Sequence, residues 1–168
     1  QGVKGLVFDV REDGGGLVAA LEKIVDPLLP AGDIATATYQ DGTTKVLVHS
    51  DANELNLPMM VLVNGNTASA AELFTASLKD FGKAEVIGEQ TFGKGIMQNT
   101  FELPDGGAVT LTVATYQTTK GECYHGVGIA PDVIMEEDYE KVDFDHPNPE
   151  QDAQLKQAME LLQSKISS

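Results

Sequence analysis

The feature that most constrains this chain is the recurrence of a short apolar strand, a turn and a helix. Two apolar runs, KGLVFDV at residues 4–10 and PMMVLV at 58–63, are each followed by a polar turn and a helical pattern. Such runs, bounded by turn residues, are typical of strands buried inside a sheet. Between them, residues 33–50 predict two strands joined at Asp41-Gly42, a favourable hairpin turn.

The helical patterns and the second half of the chain complete the predicted order of elements. The first helix lies within residues 16–30 and is closed by Pro27 and Pro30. Its inward side is expected to carry Leu17, Ala20, Leu21, Ile24 and Leu28. Residues 69–81 predict a helix, 84–89 a short strand, and 96–118 a second hairpin. The resulting order, in which strand pairs alternate with helices, predicts an α/β fold.

The C-terminal residues predict an acidic amphipathic helix over 149–166. Its apolar face is expected to consist of Leu155, Ala158, Met159, Leu162 and Ile166. We therefore expect one core over residues 1–145 and a C-terminal helical segment, 146–168, that packs on it.

Charge and composition exclude several functions. The 168 residues carry a formal net charge of −15, which argues against nucleic acid and anionic membrane surfaces as partners. No apolar run approaches the roughly 18–20 residues of a membrane span. The single cysteine cannot form an internal disulfide. The three histidines, His49, His125 and His146, lack the short spacings of metal ligands, so no metal site is predicted.

A glycine-rich turn follows the first strand, in the sequence DVREDGGG. Gly14, Gly15 and Gly16 could let backbone N–H groups approach a ligand oxygen at a helix N-terminus. A merely flexible strand-to-helix turn is the alternative. The run matches neither the dinucleotide-binding glycine pattern nor the Gly-Lys-Ser/Thr ending of a phosphate loop.

Ser69 stands where the turn NGNTA passes into the second helix. Ser69 and Glu72 have the S-x-x-E spacing of a capping box, so a purely structural cap is one interpretation. A hydroxyl at this place also lies close to the free N–H groups of a helix end, which could bind an oxyanion. The G-x-S-x-G pattern of common esterases is absent.

Lys94 stands between two glycines in EQTFGKGIMQ, 25 residues after Ser69. A solvated lysine in a surface turn is one interpretation. However, a helix of about 13 residues leads roughly 20 Å away from Ser69, and a strand of about six residues leads back by a similar distance. The spacing therefore permits Lys94 to return to Ser69. Burial would favour the neutral amine that a base requires, whereas no signature ties a histidine to Ser69.

Taken together, these stretches resemble the carboxyl-terminal processing peptidases, also called tail-specific proteases. The matching segments are GLVFDVREDGGGLV, the run from PMMVLV to GKGIMQ, LPDGGAVTLTVATYQTTKG and HGVGIAPDV, which extend from residue 5 to about 133. The resemblance implies a crotonase-like fold and a serine endopeptidase with a Ser–Lys dyad that cleaves proteins near their C-termini. It implies no cofactor.

Carried over by position, the resemblance implies roles for individual residues. Ser69 would be the nucleophile, Lys94 the general base and Gln98 the residue that orients the lysine. The oxyanion would be bound by the N–H of Ala70 and by that of Gly15 or Gly16. Asp80 matches a family position that we expect to be structural.

This chain departs from the family pattern at Glu12, Asp13 and Gly14, where asparagine or proline is usual, and at Asn66 and Thr67, where glycine and serine are usual. The PDZ domain and other N-terminal elements of the family are also expected to be missing, so the isolated chain should be a weak or inactive peptidase.

The resemblance further implies substrates with apolar C-terminal tails, an extracytoplasmic location and the capacity to form oligomers. A non-catalytic binding module of the same fold is the main alternative, and an acyl-CoA enzyme on the related crotonase fold is another.

Overall fold

The computed structural model describes residues 2–51 and 53–167. Its elements are, in chain order, β1 (Leu6–Asp9), α1 (Val18–Val25), β2 (Gly32–Tyr39), β3 (Thr44–Ser50), β4 (Met59–Val63), α2 (Ala70–Asp80), β5 (Ala84–Gly88), β6 (Ile96–Glu102), β7 (Ala108–Thr118), β8 (Val133–Ile134) and α3 (Ala153–Ser167). A short 3₁₀ turn, Asp26–Leu28, follows α1. In the part of the chain that is described, no helix is long and apolar enough to cross a membrane.

A parallel sheet in the order β1-β4-β5-β8 forms the centre of the molecule. The sequence MMVLV of β4 is buried at every position, because the strand is covered on both faces. Met59, Val61 and Val63 pack with α1 and α2 on one face. Met60 and Leu62 alternate with them and pack against α3 on the other.

The two predicted hairpins are confirmed and join in a second, antiparallel sheet in the order β3-β2-β7-β6. The turn between β2 and β3 falls at Asp41-Gly42, where Gly42 has φ +82° and so adopts a conformation that favours glycine. Ile34, Val48 and Ala114 of this sheet are buried in the same core as α1 and α2. Strand β8 was not predicted, since two residues are too few to show a pattern.

The prediction of which α1 residues face inward is partly wrong. Leu21 and Leu28 are buried, but Leu17 is 78% exposed and Ile24 is 52% exposed, and Ala20 is exposed as well. The reason is that one flank of the helix borders an open cleft instead of the core, as described below.

The predicted C-terminal helix is present, but it begins at Ala153 and not at residue 149. It begins there because the carboxylate of Asp152 accepts the N–H of Leu155 at 2.8 Å, which caps the first turn. The expected apolar face is also partly wrong, since Met159 and Ile166 are exposed. The contacts with the parallel sheet are made by Leu155, Ala158, Leu161 and Leu162.

Candidate active site

Three neighbouring parallel strands bring the candidate segments to one edge of the sheet. The glycine turn follows the C-terminal end of β1, the Ser69 turn follows β4, and the loop containing Lys94 follows β5. The carboxyl ends of neighbouring parallel strands are where α/β sheets commonly bind ligands. The out-and-back path from Ser69 to Lys94 therefore exists in the fold as expected.

Ser69 is the residue that precedes α2, and its backbone is strained. Its φ is 58° and its ψ is −120°, a region that residues other than glycine rarely adopt. The surrounding turn is fixed by hydrogen bonds from the Thr67 hydroxyl to the carbonyl of Val10 (2.7 Å) and from the Ala68 N–H to the carbonyl of Asp13 (2.9 Å). Strain of this kind persists only where neighbouring structure enforces it, and it is concentrated at functional sites.

The carboxylate of Glu72 joins the Ser69 turn to the Lys94 loop. It is fully buried. One oxygen accepts the N–H groups of Ser69 (2.9 Å) and Lys94 (2.7 Å). The other accepts the N–H of Gly93 (2.6 Å) and the hydroxyl of Thr91 (2.6 Å). The expected capping residue therefore also anchors the loop that carries the candidate base.

Tyr116 of β7 makes a second connection between these segments. Its hydroxyl donates to the carbonyl of Lys94 at 2.9 Å and lies 3.4 Å from Ser69 Oγ. Burial raises the pKa of Tyr116, so the phenol stays protonated at neutral pH. The structure thus brings Ser69 close to the main chain of Lys94. The side chain of Lys94 is half-buried and forms no ion pair with any carboxylate in the described ranges.

Gln98 is not brought into this cluster by a hydrogen bond. It lies exposed on β6, next to an irregularity in the pairing with β7 between Met97 and Gln98. Across residues 2–51 and 53–167, none of the hydrogen bonds joins its amide to Lys94.

Of the candidate oxyanion glycines, Gly15 is the one that lies against the Ser69 turn. A β-carbon at Gly15 would come within 2.6 Å of the Ala70 nitrogen and 2.9 Å of Ser69 Cβ, so only glycine fits there. The N–H of Gly15 donates to the carboxylate of Asp13 at 2.8 Å. Gly16 makes no such close approach. Ala70 is the first residue of α2, where backbone N–H groups lack partners within the helix.

An apolar cleft of about 310 Å³ opens beside Ala70 and Gly15. Its apolar walls come from β1, α1 and α2, and they include Phe8, Val10, Leu17, Ala20, Leu21, Ile24, Ala71 and Phe74. The rings of Phe8 and Phe74 meet edge to face, with centroids 5.1 Å apart. Exposed Leu17, which precedes α1, and exposed Ile24 within it therefore belong to a concave surface next to Ser69, where an apolar side chain could be bound.

Two of the departures from the family pattern contact each other. The carboxylate of Glu12 accepts the side-chain amides of Asn66 (2.9 and 3.0 Å) and Asn64 (2.6 Å). Glu12 has φ 59°, and its own N–H donates to Asn64 Oδ1 at 3.1 Å. These residues therefore connect the glycine turn to the Ser69 turn.

Arg11 fixes the start of the glycine turn from the other side. Its buried guanidinium pairs with Asp9 at 2.5 Å and with Asp152 at 2.6 Å, and it donates to Gln154 at 3.2 Å. Burial alone would lower the pKa of Arg11, but the two carboxylates outweigh it and raise that pKa above its ordinary value. The segment before α3 thus supports the turn that leads to Gly15.

Three of these contributors were missed from the sequence: the bridging role of Glu72, Tyr116, and the pair of Arg11 with Asp152. Of these, only Glu72 was marked in the sequence, by the S-x-x-E spacing. That spacing predicts a helix cap but not the contact of Glu72 with the Lys94 loop.

Comparison with known proteins identifies the family. Residues 1–135 match peptidase family S41. A carboxyl-terminal-processing protease of Synechocystis sp. is 36% identical over 96% of this chain and 38% of its own length. A chloroplastic C-terminal processing peptidase of Tetradesmus obliquus is 40% identical over 81% of this chain and 30% of its own length.

Among solved structures, the photosystem II D1 C-terminal processing protease superposes with a TM-score of 0.74 at 40% identity. That match covers 81% of this chain and 36% of the other. The chain thus spans less than two fifths of the length of these relatives. With the family match extending over most of its residues, the chain belongs to peptidase family S41.

Proposed function

We propose that this chain carries the catalytic residues of a serine endopeptidase that cleaves proteins near their C-termini, with Ser69 as nucleophile and Lys94 as general base. The observation that carries the proposal is the double connection at the sheet edge. Glu72 and Tyr116 each contact both Ser69 and the main chain of Lys94. A nucleophile and a base must be held within hydrogen-bond reach, and these connections support that arrangement.

In the proposed reaction, Ser69 Oγ attacks the peptide carbonyl carbon while neutral Lys94 takes the hydroxyl proton. Lys94 then gives this proton to the departing amine, and an acyl-enzyme ester remains on Ser69. Water hydrolyses the ester with the same amine as base, which restores Ser69 and releases the acid product. Gln98 is assigned the role of orienting Lys94 by a hydrogen bond, a contact that its exposed amide does not make in this structure.

The oxyanion is assigned to the N–H of Ala70 and that of Gly15, with Gly16 as the alternative second donor. Each such donor lowers the barrier by about 3–4 kcal/mol in comparable sites. Gly15 donates to Asp13 in this structure, so the substrate oxygen must displace that carboxylate. The N-terminal end of α2 adds a favourable dipole for the negative charge.

The apolar cleft supports the assignment of substrates with apolar C-terminal tails. Its side chains offer a large apolar group a place to be buried beside Ser69. A peptide with leucine before the cleaved bond should therefore be cut faster than the same peptide with lysine, and a cleft unrelated to the substrate would show no preference.

The remaining assignments rest on the family. We propose a crotonase-like core over 1–145 with an appended segment over 146–168, in a protein that acts outside the cytoplasm and can form oligomers. Two relatives are compatible with the location: one is named as chloroplastic and another as a lipoprotein from Streptococcus agalactiae.

The proposed function is tested by turnover of a protein with an apolar tail, using the full gene product and its Ser69→Ala variant. We expect the wild-type protein to remove the tail and the variant to be inactive, although equally folded. If the variant cleaves at the wild-type rate, Ser69 is not the nucleophile. If neither protein cleaves or is labelled by a serine-directed reagent, the binding-module alternative is favoured.

A further inference from the structure

Tyr116 lies on β7 and contacts both catalytic segments, which are the Ser69 turn and the Lys94 loop. Its phenol group reaches the carbonyl of Lys94 at 2.9 Å and Ser69 Oγ at 3.4 Å. Its backbone N–H also donates to the carbonyl of Gly95 at 3.0 Å. Main chain and side chain of one residue therefore hold two successive carbonyls of the Lys94 loop.

The donors and acceptors fix the direction of these hydrogen bonds. A tyrosine hydroxyl carries a single proton, and a carbonyl oxygen can only accept. The proton of Tyr116 therefore goes to Lys94, and in the contact with Ser69 the serine must be the donor. The 3.4 Å separation makes that second bond weak, so the serine proton can turn toward an amine at little cost.

The position of the Tyr116 ring is determined by packing. The residue is buried in the main core, and its ring meets that of Tyr124 edge to face, with centroids 6.1 Å apart. The hydroxyl of Tyr124 is buried and makes no hydrogen bond of ordinary geometry among the residues described, and the phenol of Tyr116 is its polar neighbour. The two phenols thus share an environment, but only that of Tyr116 contacts the catalytic segments.

We propose that Tyr116 is a positioning residue for the reaction, which anchors the main chain of Lys94 at a fixed distance from Ser69 and orients the resting serine hydroxyl. This inference rests on the proposed function. Because Tyr116 lies on β7, the antiparallel sheet takes part in setting the catalytic geometry, although Ser69 and Lys94 both follow strands of the parallel sheet.

The experiment compares Tyr116→Phe with Tyr124→Phe in the full gene product. Each variant removes one hydroxyl and keeps its ring, so the second is a matched control. For each we would measure kcat and KM on a tailed peptide, the rate at which a fluorophosphonate labels Ser69, and the urea midpoint of unfolding. A fluorophosphonate is small and reports the reactivity of the serine without demanding peptide binding.

We expect Tyr116→Phe to lower kcat and the labelling rate by roughly three- to tenfold, the loss expected for one hydrogen bond, with KM unchanged. Tyr124→Phe should change neither rate. Wild-type rates in Tyr116→Phe would overturn the proposal, as would an equal loss in Tyr124→Phe or an effect on KM alone. A wild-type protein that neither cleaves nor is labelled would instead overturn the proposed function, and this inference with it.

Discussion

At the scale of single residues, Ser69 combines a strained backbone with a place at the start of a helix. Its φ of 58° lies where a β-carbon is unfavourable, and glycine would adopt the same conformation readily. The turn holds it there through Thr67, Ala68 and Glu72. Such strain costs about 1–3 kcal/mol and is retained where geometry matters more than stability.

This strain predicts that Ser69→Gly is more stable than Ser69→Ala. Glycine relieves the backbone strain, whereas alanine keeps it. The greater freedom of glycine in the unfolded chain offsets about 0.5–1 kcal/mol of the stability gained in this way. We expect a net advantage of about 0.5–2 kcal/mol for the glycine variant in the free energy of unfolding. Urea denaturation of the two variants measures this difference. If Ser69→Ala is as stable as Ser69→Gly or more stable, the backbone at residue 69 is unstrained.

The residue-scale predictions succeed where local spacing carries the information. The distance from Ser69 to Lys94 could be estimated because one helix and one strand separate them. Tyr116 could not be found in this way, since it reaches the site through pairing of β7 with β2 and β6. Likewise, the approach of Gly15 to Ala70 depends on which two strands are neighbours, and a single sequence does not report that.

At the scale of elements, one carboxylate keeps the start of α2 and the loop before β6 together. Glu72 is fully buried and accepts four hydrogen bonds, three of them from backbone N–H groups. A buried carboxylate is stable only when it is satisfied in this way. Among the residues that the structure describes, no other charged side chain joins this loop to the start of α2, so Glu72 is its charged anchor there.

We predict that Glu72→Gln costs about 2–4 kcal/mol in the free energy of unfolding, because an amide NH₂ then faces backbone donors that lose their acceptor. Activity should fall as well, since Ser69 and Lys94 lose a shared partner. Glu160→Gln on the exposed surface of α3 makes the same charge change and should be neutral. Thermal unfolding of both variants tests this, and similar melting temperatures would contradict the anchoring role.

Elements with a clear pattern of apolar and turn residues could be predicted from the sequence. The packing of α1 could not, because part of its apolar surface lines a cleft. The hairpins and the buried run of β4 follow from turn residues and apolar content. The apolar flank of α1 looked like a core face because leucine and isoleucine indicate burial in general. Periodicity does not distinguish a side chain buried in the core from one that lines an open cleft, and Leu17 and Ile24 are of the second kind.

For the whole molecule, the site depends on all layers of the fold. The parallel sheet supplies three turns at one edge, the antiparallel sheet supplies Tyr116, and the segment before α3 supplies Asp152 to hold Arg11. Removing one partner from a buried ion pair leaves an uncompensated charge, so this last contact ties the C-terminal residues to the glycine turn.

Buried and half-buried phenols predict how the stability of the whole molecule depends on pH. Burial raises the pKa of Tyr116, Tyr124 and Tyr139 above the ordinary value of about 10. A raised pKa in the folded state means that stability is fully present below pH ~10 and is lost as the pH rises further, because the unfolded chain ionises first.

We therefore expect the urea midpoint to fall above pH ~10, and to fall less steeply in Tyr124→Phe, which removes one of these groups. At neutral pH this variant should be at least as stable as the wild type, because the lost hydroxyl makes no hydrogen bond of ordinary geometry among the described residues. An unchanged alkaline slope in Tyr124→Phe would contradict the burial of that phenol.

The pairing of Ser69 with Lys94 is tested most directly by labelling with a fluorophosphonate, followed by mass spectrometry of the peptides, in the full gene product and its Lys94→Arg variant. We predict one phosphonate per chain, located on Ser69, and almost none in the variant, because a guanidinium keeps the charge but cannot accept a proton near neutral pH. Label on another residue, or wild-type labelling of Ser69 in Lys94→Arg, would contradict the proposed dyad and return the search for the base to His49, His125 and His146.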